Sequence, residues 1–555
     1  MIYFYIFILS LATSFFLMPF IMKLAYRFQL VDKPGLRKVH QKDIPRVGGV
    51  AIIIAFLLSN LIFNQNSEIV RGILVGGLIV AFVGLMDDFS SISPYTKFAG
   101  QIVAAVIGIL ISGLIIHKID IFGWYFIKLG WFAYPFTVIW IVGITNAINL
   151  IDGLDGLAAG VATIILFFLG LIGYLKGSFE LMFISVALIG ACLGFLKYNS
   201  HPAQVFLGDV GSLFLGYVLA MLSMIGSIKS AAVMTLALPI TILGLPILDT
   251  SWAFFRRLIQ GKSPFSPDKG HIHHRLMNLG LGHDMTVLFM YGITVFLGLT
   301  ALLSVYNYEI KEVSLLIIGI MMTFAAFKLA AFIRNKPTLK SMIKSPFKKT
   351  PFLIILRRRV SLALPLVIRN LILLSLFINI VVFVRVEIEL ALIGLILILA
   401  LLYLQISAKR EYYEQFMMFI LFFCGVFIIF TAEQNIDPVY WYGISAEVFS
   451  NVLFSVIGGL ILFNILLKRL SGNFLSSPFE FFILIFVISL NLLPPDKVMK
   501  YHLAAVSVKS TILFLGYRLL LEYHIEKSRR LIYATTLIIA VCVITSFAYY
   551  FNIAA

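Results

Sequence analysis

Residues 146–156 read NAINLIDGLDG and lie between two long apolar runs. In a chain that is 61% hydrophobic, this stretch places two amides and two carboxylates close together. Polar groups at membrane depth are costly and are usually functional. Asn146, Asn149 and Asp152 share one helical face, and the glycines that follow end the helix. A simple polar turn between two spans does not need four such side chains at this spacing, so the stretch indicates a site inside a membrane protein.

The composition of the 555 residues excludes an ordinary soluble domain, because only 12% of them are charged. The net charge of +17 comes from Lys and Arg that gather in alternate loops and not from a basic domain, so we expect no nucleic-acid partner. The first apolar stretch, residues 2–21, is too long for the apolar part of a signal peptide and is interpreted as a retained span. The three cysteines are far apart and predict neither a disulfide framework nor a zinc site.

We predict an all-α polytopic membrane protein, because long unbroken apolar runs indicate spanning helices and not a barrel. About eleven spans are expected before residue 334, approximately at 2–22, 48–64, 70–86, 98–116, 132–149, 157–175, 181–197, 211–228, 231–249, 285–304 and 313–333. About seven more are expected beyond it, approximately at 363–384, 389–406, 415–432, 446–467, 479–493, 502–521 and 531–550.

The predicted domains are a membrane bundle over residues 1–333, a basic cytoplasmic linker over residues 334–360 and a C-terminal membrane domain of unknown role over residues 361–555. The distribution of Lys and Arg puts both termini outside and the polar clusters of the first half on the cytoplasmic face. In the second half, Lys509 is an exception among apolar residues, and it is expected either to snorkel or to pair within the bundle.

Asp87 and Asp88 end the third predicted span, and Lys97 follows shortly after them. Adjacent carboxylates at membrane depth need a nearby cation or donor, and they suit a Mg²⁺ ion that is linked to phosphate. Lys97 could hold a phosphate as a point charge. The alternatives are a solvated helix end for the two aspartates and a marker of the cytoplasmic side for Lys97.

Two further clusters carry polar groups toward the same face. Residues 206–212 read FLGDVGS, in which Asp209 is either a helix N-cap or a ligand for a metal that bridges phosphate oxygens. Residues 266–276 read SPDKGHIHHRL, and the three histidines and Arg275 could bind zinc. Since no cysteine accompanies them, hydrogen bonds to a sugar or a pyrophosphate are the favoured interpretation.

Together with residues 45–49, which read PRVGG, these clusters resemble the polyprenyl-phosphate N-acetylhexosamine-1-phosphate transferases. This glycosyltransferase family includes the enzymes that start teichoic acid, O-antigen and enterobacterial common antigen synthesis and the phospho-MurNAc-pentapeptide translocase. The resemblance covers roughly residues 1–333. It implies a bundle of about ten or eleven helices in the inner (plasma) membrane with a cytoplasmic cleft. The family moves a sugar-1-phosphate from a UDP-sugar to polyprenyl phosphate and releases UMP.

The resemblance also implies roles for individual residues. Asp87, Asp88 and Asp209 are the implied catalytic residues, and Asp209 with Asn149 is implied to hold Mg²⁺, with Mn²⁺ as an alternative. The implied substrate contacts are Lys97 for phosphate, Asp155 and Phe206 for uracil, and His271, His273, His274 and Arg275 for the sugar. Asn146 and Asp152 are assigned to the substrate site without a separate role.

The expected partners are a UDP-sugar, a polyprenyl phosphate lipid and the membrane, and a homodimer is allowed. The His-Ile-His-His form of the histidine cluster is closer to the teichoic acid and common-antigen type, which favours UDP-GlcNAc or a related UDP-N-acetylhexosamine. Two alternatives from other classes are a transporter or flippase of a lipid-linked glycan and a membrane scaffold of the same pathway. Their support is the large number of spans and the extra second half.

Overall fold

A computed structural model describes most of the first half of the chain and parts of the second. It divides into two compact units, Met1–Pro337 and Thr338–Ala555. The described residues are 2–33, 43–63, 67–121, 125–227, 233–235, 237–261, 270–306, 351–382, 395, 398, 422, 424–426, 428–430, 432–433, 440–441, 444–469, 502–521, 536–537, 540–541 and 543–544. Outside the described residues lie most of the predicted linker and the predicted spans at 313–333, 389–406 and 479–493. The span at 389–406 contains two described positions, 395 and 398.

The first unit is built from helices, as the apolar runs predict. Its helices are α1 (Ile2–Arg27), α2 (Gly49–Phe63), α3 (Glu68–Ser90), α4 (Pro94–Ser112), α5 (Ala133–Ile151), α6 (Leu157–Lys176), α7 (Phe179–Asn199), α8 (Gly208–Ser227), α9 (Ala237–Ile242), α10 (Gly244–Ile259), α11 (Ile272–Asn278) and α12 (His283–Tyr306). Among the described residues of the whole chain, nine helices are long and apolar enough to cross a membrane. The predicted all-α polytopic membrane class is confirmed.

The ends of these helices follow local chemistry. The Ser93 side chain accepts a hydrogen bond from the Thr96 N–H, and Pro94 occupies the first turn of α4, where its missing N–H has no cost. Gly113 ends the same helix with a φ of 66°, which suits a residue without a Cβ. Ser178 caps α7 in the same way as Ser93 caps α4. Short polar caps therefore separate spans whose length is set by their apolar residues.

Helices α6 and α8 form the centre of the first unit. They have the largest buried shares among the candidate spans, 78% and 83%. Helix α8 packs against α3, α5 and α6, while α6 also contacts α7 and α12. Helix α1 packs on α2 and α7 at one side. This arrangement brings the first turn of α8, which contains Asp209, against the ends of α3 and α5.

Short strands join the helices, which the sequence did not predict. Strands β1 (Val31–Asp32) and β2 (Ile44–Pro45) form an antiparallel pair. Strands β3 (Lys118–Ile121), β4 (Tyr125–Lys128) and β5 (Val233–Thr235) form a three-stranded sheet in the order β4-β3-β5. Ile119 lies opposite Ile127 in the antiparallel pair and opposite Met234 in the parallel pair.

The predicted span at 231–249 differs from the structure. The segment contains strand β5, the short helix α9 and the start of α10. Pro239 and Pro246 lack the N–H that would continue an unbroken helical hydrogen-bond ladder, and Gly244 lies between them. The hydropathy of the segment does not reveal these breaks, because the prolines and the glycine do not make it polar.

The described helices of the second unit are α13 (Pro351–Val382), α14 (Ala446–Arg469) and α15 (Leu503–Leu521), and strands β6 (Tyr440–Trp441) and β7 (Ile444–Ser445) form a small hairpin. Lys509 on α15 pairs within the unit and does not snorkel. Its Nζ donates to Glu433 Oε1 at 2.5 Å and to Ser450 Oγ at 3.1 Å. All three side chains are buried. A buried ammonium is tolerated here because a carboxylate compensates it.

Candidate active site

Four helix ends of the first unit meet at the residues that the sequence singles out. Asp87 and Asp88 lie in the last turn of α3, and Lys97 lies in the first turn of α4. Asn149 lies in the last turn of α5, and Asp209 lies in the first turn of α8. Because α3 and α5 end where α4 and α8 begin, these side chains converge although they are far apart in sequence.

Lys97 joins the two carboxylates at the centre of the site. Its Nζ lies 3.5 Å from Asp87 Oδ2 and also contacts Asp209 Oδ2. The side chains of Lys97, Asp87 and Asp209 are 17%, 17% and 24% exposed, so a substrate can reach them. Asp87 Oδ1 accepts a hydrogen bond from the Ile92 N–H at 2.8 Å. The site therefore has an ammonium held between two reachable carboxylates.

Asn149 orients Asp209 from the opposite side. Its Nδ2 donates to Asp209 Oδ1 and to Ser212 Oγ, each at 2.8 Å. In this orientation the amide nitrogen, and not the amide oxygen, faces the carboxylate. Ser212 lies one turn after Asp209 on α8 and is fully buried. This hydrogen bond fixes the direction of the Asp209 side chain at the start of α8.

Asp88 has different surroundings from its neighbour Asp87. Its side chain is 1% exposed, and its two oxygens accept hydrogen bonds from the backbone N–H groups of Asp209 at 3.2 Å and Val210 at 3.0 Å. Arg46 Nε donates to Asp88 Oδ1 at 3.4 Å. A carboxylate that accepts from the first turn of a helix caps that helix and interacts favourably with its dipole. Asp88 thus fixes α8 against α3 and positions Asp209.

The loop that precedes α2 is bound to the loop that precedes α8. The Gly48 N–H donates to the Phe206 carbonyl at 3.0 Å, and the Phe206 N–H donates to the Pro45 carbonyl at 2.7 Å. Gly208 has a φ of 74°, and a Cβ there would lie 1.9 Å from the Arg46 carbonyl oxygen. The glycine is therefore required for this close approach. Phe206 is held through its backbone beside Asp209.

The stretch at residues 146–156 is divided between several environments. Asn146 exchanges hydrogen bonds with Gln101 on α4, at 2.6 Å from Asn146 Nδ2 to Gln101 Oε1 and at 3.3 Å in the other direction. Gln101 is 2% exposed, so this pair ties α5 to α4 one helical turn below Lys97. Asn146 therefore helps to hold α5 against α4.

Asp152 is the residue that directly follows α5. Burial raises the pKa of its carboxyl to about 8, and the negative charges of Asp209, Asp88 and Asp155 raise it further in the same direction. A carboxyl with this pKa carries a proton at neutral pH. The clustered carboxylates of the site therefore hold less negative charge than their number suggests.

Asp155 forms a group with His201 and His283, which no sequence motif singles out. His201 Nδ1 lies 2.7 Å from Asp155 Oδ2, and His283 Nε2 lies 4.0 Å from the same oxygen. The two imidazole rings stack at 4.0 Å between centroids. The Ala203 N–H also donates to Asp155 Oδ2 at 3.2 Å. Asp155 is thus anchored to the segment between α7 and α8 and to the start of α12.

The histidine cluster is fixed by a buried aspartate on α10. Asp249 Oδ2 lies 2.8 Å from His271 Nδ1, and Asp249 Oδ1 accepts from the Ile272 N–H at 2.7 Å. Asp249 is 1% exposed and caps the first turn of α11. Its position fixes the direction in which the histidines of α11 project.

His273 connects this cluster to the stretch at residues 146–156. It is buried and packs so closely on Gly153 that a Cβ there would lie 2.5 Å from its Nε2. Burial lowers the pKa of His273 to about 4, and the neighbouring His274 acts in the same direction. His273 is therefore neutral at physiological pH. The His274 ring packs at a tilt against the His273 ring, with 4.3 Å between their centroids. The Arg275 guanidinium lies 5.5 Å from the centroid of the Trp252 ring.

The donor atoms around Lys97 suit a hard divalent cation. Asp87 and Asp209 offer carboxylate oxygens, the ligands that Mg²⁺ takes most readily in proteins. The Lys97 ammonium between them shows that these two carboxylates favour a positive charge at that point. Asp88 is less suited as a ligand, because both of its oxygens already accept backbone hydrogen bonds.

Sequence reasoning missed several residues that hold the site together. Gln101, Asp249, His201 and His283 stand alone in the sequence, and only their contacts reveal them. Arg46 belongs to the stretch PRVGG but received no role of its own. Its position after Pro45 and before Gly48 and Gly49 could have indicated a role, because prolines and glycines mark an ordered loop.

The chain is similar in sequence to known glycosyltransferases. The family model described as glycosyl transferase family 4 matches residues 70–227, which include α3 to α8 and the four converging helix ends. A relative from Bacillus subtilis, named probable undecaprenyl-phosphate N-acetylglucosaminyl 1-phosphate transferase, is 43% identical over 325 residues. The match covers 57% of this chain and 88% of that relative. The chain belongs to this family of polyprenyl-phosphate N-acetylglucosamine-1-phosphate transferases.

Other family members are similar over a comparable length. The decaprenyl-phosphate N-acetylglucosaminephosphotransferase of Mycolicibacterium smegmatis is 37% identical over 311 residues, covering 50% of this chain and 76% of that protein. The undecaprenyl-phosphate alpha-N-acetylglucosaminyl 1-phosphate transferase of Escherichia coli K12 is 28% identical over 337 residues, covering 59% and 92%. The predicted family is confirmed.

Proposed function

We propose that the protein transfers N-acetylglucosamine-1-phosphate from UDP-N-acetylglucosamine to a polyprenyl phosphate lipid and releases UMP, which begins the assembly of a cell-envelope glycan. Membership of the family supports the transferase activity and the lipid acceptor, since the relatives are named for both. The observation that carries the proposal is the Lys97 ammonium held between Asp87 and Asp209 at the meeting point of four helix ends.

The reaction needs positioning more than covalent chemistry from the protein. An oxygen of the lipid phosphate attacks the phosphorus that bears the sugar, and the bond from that phosphorus to the bridging oxygen breaks as UMP leaves. Phosphoryl transfer of this kind depends on in-line placement and on positive charge near the oxygens. Lys97 supplies a positive charge at the reachable face of the site.

Each carboxylate then has a distinct proposed role. Asp87 positions the acceptor phosphate, and a strong general base is not required because that phosphate is already largely ionised at neutral pH. Asp88 acts through α8, whose first turn it caps. Asp209, held by Asn149, faces the phosphates. Asp155 and the segment with Phe206 are proposed to contact the uracil base, and the histidines of α11 and Arg275 are proposed to contact the sugar.

We also propose a dependence on Mg²⁺, for which Mn²⁺ would substitute. Asp209 and Asp87 are the residues that would hold the ion, with the Asn149 oxygen as a further donor if its amide turns. When bound, the ion neutralises charge on the phosphate oxygens, so that two anionic substrates can approach a carboxylate-rich site.

The orientation in the membrane follows from charge. The proposal places the site at the cytoplasmic face of the inner (plasma) membrane and both termini outside, because the loops on that side are rich in Lys and Arg. The homodimer remains a prediction.

The test is UMP release from UDP-N-acetylglucosamine by membranes that contain the protein, a polyprenyl phosphate and Mg²⁺. Asp209→Ala should lower the rate by at least about a hundredfold, as loss of a principal electrostatic group does. Glu68→Gln is the matched control, because Glu68 is exposed at the opposite end of α3 from Asp87. Equal UMP release by wild type and Asp209→Ala would refute the assignment, and a screen of other UDP-sugars would identify the preferred donor.

A further inference from the structure

The loop between α5 and α6 is held through its main chain by side chains of two other helices. The Asp155 N–H donates to Nε2 of His283, the first residue of α12, at 3.2 Å. The Gly156 N–H donates to Oδ1 of Asn199, the last residue of α7, at 3.0 Å. The Gly156 carbonyl accepts from the hydroxyl of Tyr291, further along α12, at 2.6 Å. Two successive N–H groups and the carbonyl that follows are therefore fixed from outside the loop.

Tyr291 makes a contact that α6 does not need for its own start. The Gly156 carbonyl already accepts from the Gly160 N–H at 3.0 Å, which is a bond of the first turn of α6. Tyr291 is fully buried, and a Cβ at Gly160 would overlap its hydroxyl, so the glycine leaves the room that the ring occupies. The Tyr291 hydroxyl is thus a second donor to the Gly156 carbonyl, and it joins that carbonyl to α12.

The same loop is tied to the segment that carries Phe206. Besides accepting from the Gly156 N–H, the Asn199 side chain donates from Nδ2 to the carbonyl of Val205 at 2.8 Å. Asn199 is buried, so water does not compete for these two bonds. The loop with Asp155 and the segment with Phe206 are therefore held together by Asn199, and the contacts from α12 fix where the loop lies.

Holding α12 against α6 does not require these polar contacts. The two helices also pack through apolar side chains further along, where Gly298 of α12 lies against the ring of Phe168 of α6. The hydrogen bonds of His283 and Tyr291 end instead on the main chain of the loop. Their effect is therefore expected on the position of the loop more than on the association of the helices.

We propose that Tyr291 and His283 are positioning residues for the nucleoside end of the donor. From α12 they fix the backbone of Asp155 and Gly156, so that the Asp155 carboxylate and the segment with Phe206 can contact the base together. The inference rests on the proposed function, which assigns these two to uracil. Tyr291 is fully buried and acts through the loop, without touching the substrate. Because small misplacements of a binding group weaken its contacts strongly, loss of either bond should weaken binding of the uridine donor and not of the lipid acceptor.

Tyr291→Phe tests the proposal, because it keeps the buried ring and removes only the hydroxyl. It should raise the KM for UDP-N-acetylglucosamine about three- to tenfold, the factor expected for one buried hydrogen bond. The kcat and the KM for polyprenyl phosphate should stay within about twofold of wild type, as they do when only ground-state binding of one substrate is lost.

Tyr217→Phe is the matched control. Tyr217 is also fully buried, and its hydroxyl donates to a backbone carbonyl, that of Gly72 near the start of α3 and far along that helix from Asp87. Tyr217→Phe should lower the thermal midpoint about as much as Tyr291→Phe does and leave the donor KM unchanged. An equal rise of the donor KM in both variants would show a general loss of stability and would overturn the positioning role.

His283 offers a second pair of variants. In His283→Gln the side-chain oxygen can still accept from the Asp155 N–H, so the donor KM should stay within about twofold of wild type. His283→Leu removes the acceptor and should raise the donor KM about three- to tenfold. Thermal midpoints verify that both variants are folded. A donor KM that rises in His283→Gln as much as in His283→Leu would contradict a role through this hydrogen bond.

Calorimetric titration of the full chain with UMP measures the nucleoside contact without turnover. Tyr291→Phe should weaken UMP binding by the same factor as it raises the donor KM, and Tyr217→Phe should not weaken it. If the wild type binds UMP but releases none from UDP-N-acetylglucosamine, the transferase assignment fails, and weaker UMP binding by Tyr291→Phe would still support the positioning role. If the wild type releases UMP and Tyr291→Phe keeps the wild-type KM and UMP affinity, the positioning role alone is refuted.

Discussion

Asparagine at position 88 should destabilise the first unit, whereas asparagine at position 87 should not. The two aspartates are adjacent, but Asp88 accepts two backbone hydrogen bonds from α8 at 1% exposure, and Asp87 faces Lys97 in a partly open site. The substitution Asp88→Asn keeps one acceptor oxygen and turns an NH₂ group toward a backbone N–H. One charge-assisted hydrogen bond and the favourable charge at the helix start are lost.

The expected magnitudes differ by several kcal/mol. A hydrogen bond to a charged group contributes about 1.5–3 kcal/mol, and a carboxylate at a helix N-terminus contributes about 0.3–1 kcal/mol. Asp88→Asn should therefore cost about 2–4 kcal/mol. Asp87→Asn retains Oδ1 as the acceptor for the Ile92 N–H and loses only a partly exposed contact at 3.5 Å, which is worth about 0–1 kcal/mol.

The assay combines thermal unfolding in detergent with UMP release. Asp88→Asn should lower the thermal midpoint by several degrees, since about 1 kcal/mol corresponds to 2–4 °C in a domain of 150–250 residues. Asp87→Asn should leave the midpoint near that of wild type and lower kcat by about a hundredfold or more. Glu68→Gln serves as the control for both measurements. Equal midpoints for Asp87→Asn and Asp88→Asn would refute the division of roles.

Further predictions concern other parts of the molecule. Gly153→Ala should lower transferase activity by about tenfold or more at constant expression, because its Cβ would displace the His273 ring. The first unit should lose stability as the pH falls from about 6.5 to about 4, because His273 binds a proton in the unfolded chain but stays neutral in the folded one. The thermal midpoint measured against pH should show this loss, and His273→Gln should make that dependence weaker. Lys509→Met should destabilise the second unit by about 3–5 kcal/mol, because Glu433 is left buried without its partner, and adding Glu433→Gln should recover much of the loss. Removal of divalent ions with EDTA should abolish UMP release, and Mg²⁺ or Mn²⁺ should restore it; activity retained in EDTA would contradict the proposed metal dependence.

The spans of the first unit were largely predictable from the sequence. The runs predicted at 132–149, 157–175 and 181–197 correspond to α5, α6 and α7 within two residues at each end. The reason is that the apolar thickness of a bilayer requires about 20 apolar residues, so length and composition alone mark a spanning helix. The segment at 231–249 is the exception, because prolines and a glycine divide it without changing its hydropathy.

The polar clusters were predictable as a group, since amides, carboxylates and histidines at membrane depth are conspicuous in an apolar chain. Their partners were not, because a hydrogen bond between residues 88 and 209 depends on how α3 packs on α8 and leaves no trace in local sequence. The same holds for Asp249 with His271 and for His201 with Asp155.

The sequence by itself determined the membrane class, the approximate spans of the first unit and the polar clusters that stand out in an apolar chain, because apolar length and costly polar groups are local properties. Only the tertiary structure decided how residues 146–156 are divided: Asn146 supports the bundle, Asn149 orients Asp209, Asp155 joins two histidines and Gly153 makes room for His273. It also decided that the Asp87 side chain is partly exposed, whereas the buried Asp88 side chain caps α8. Two identical neighbouring side chains acquire different roles because each points at a different element of the packed fold.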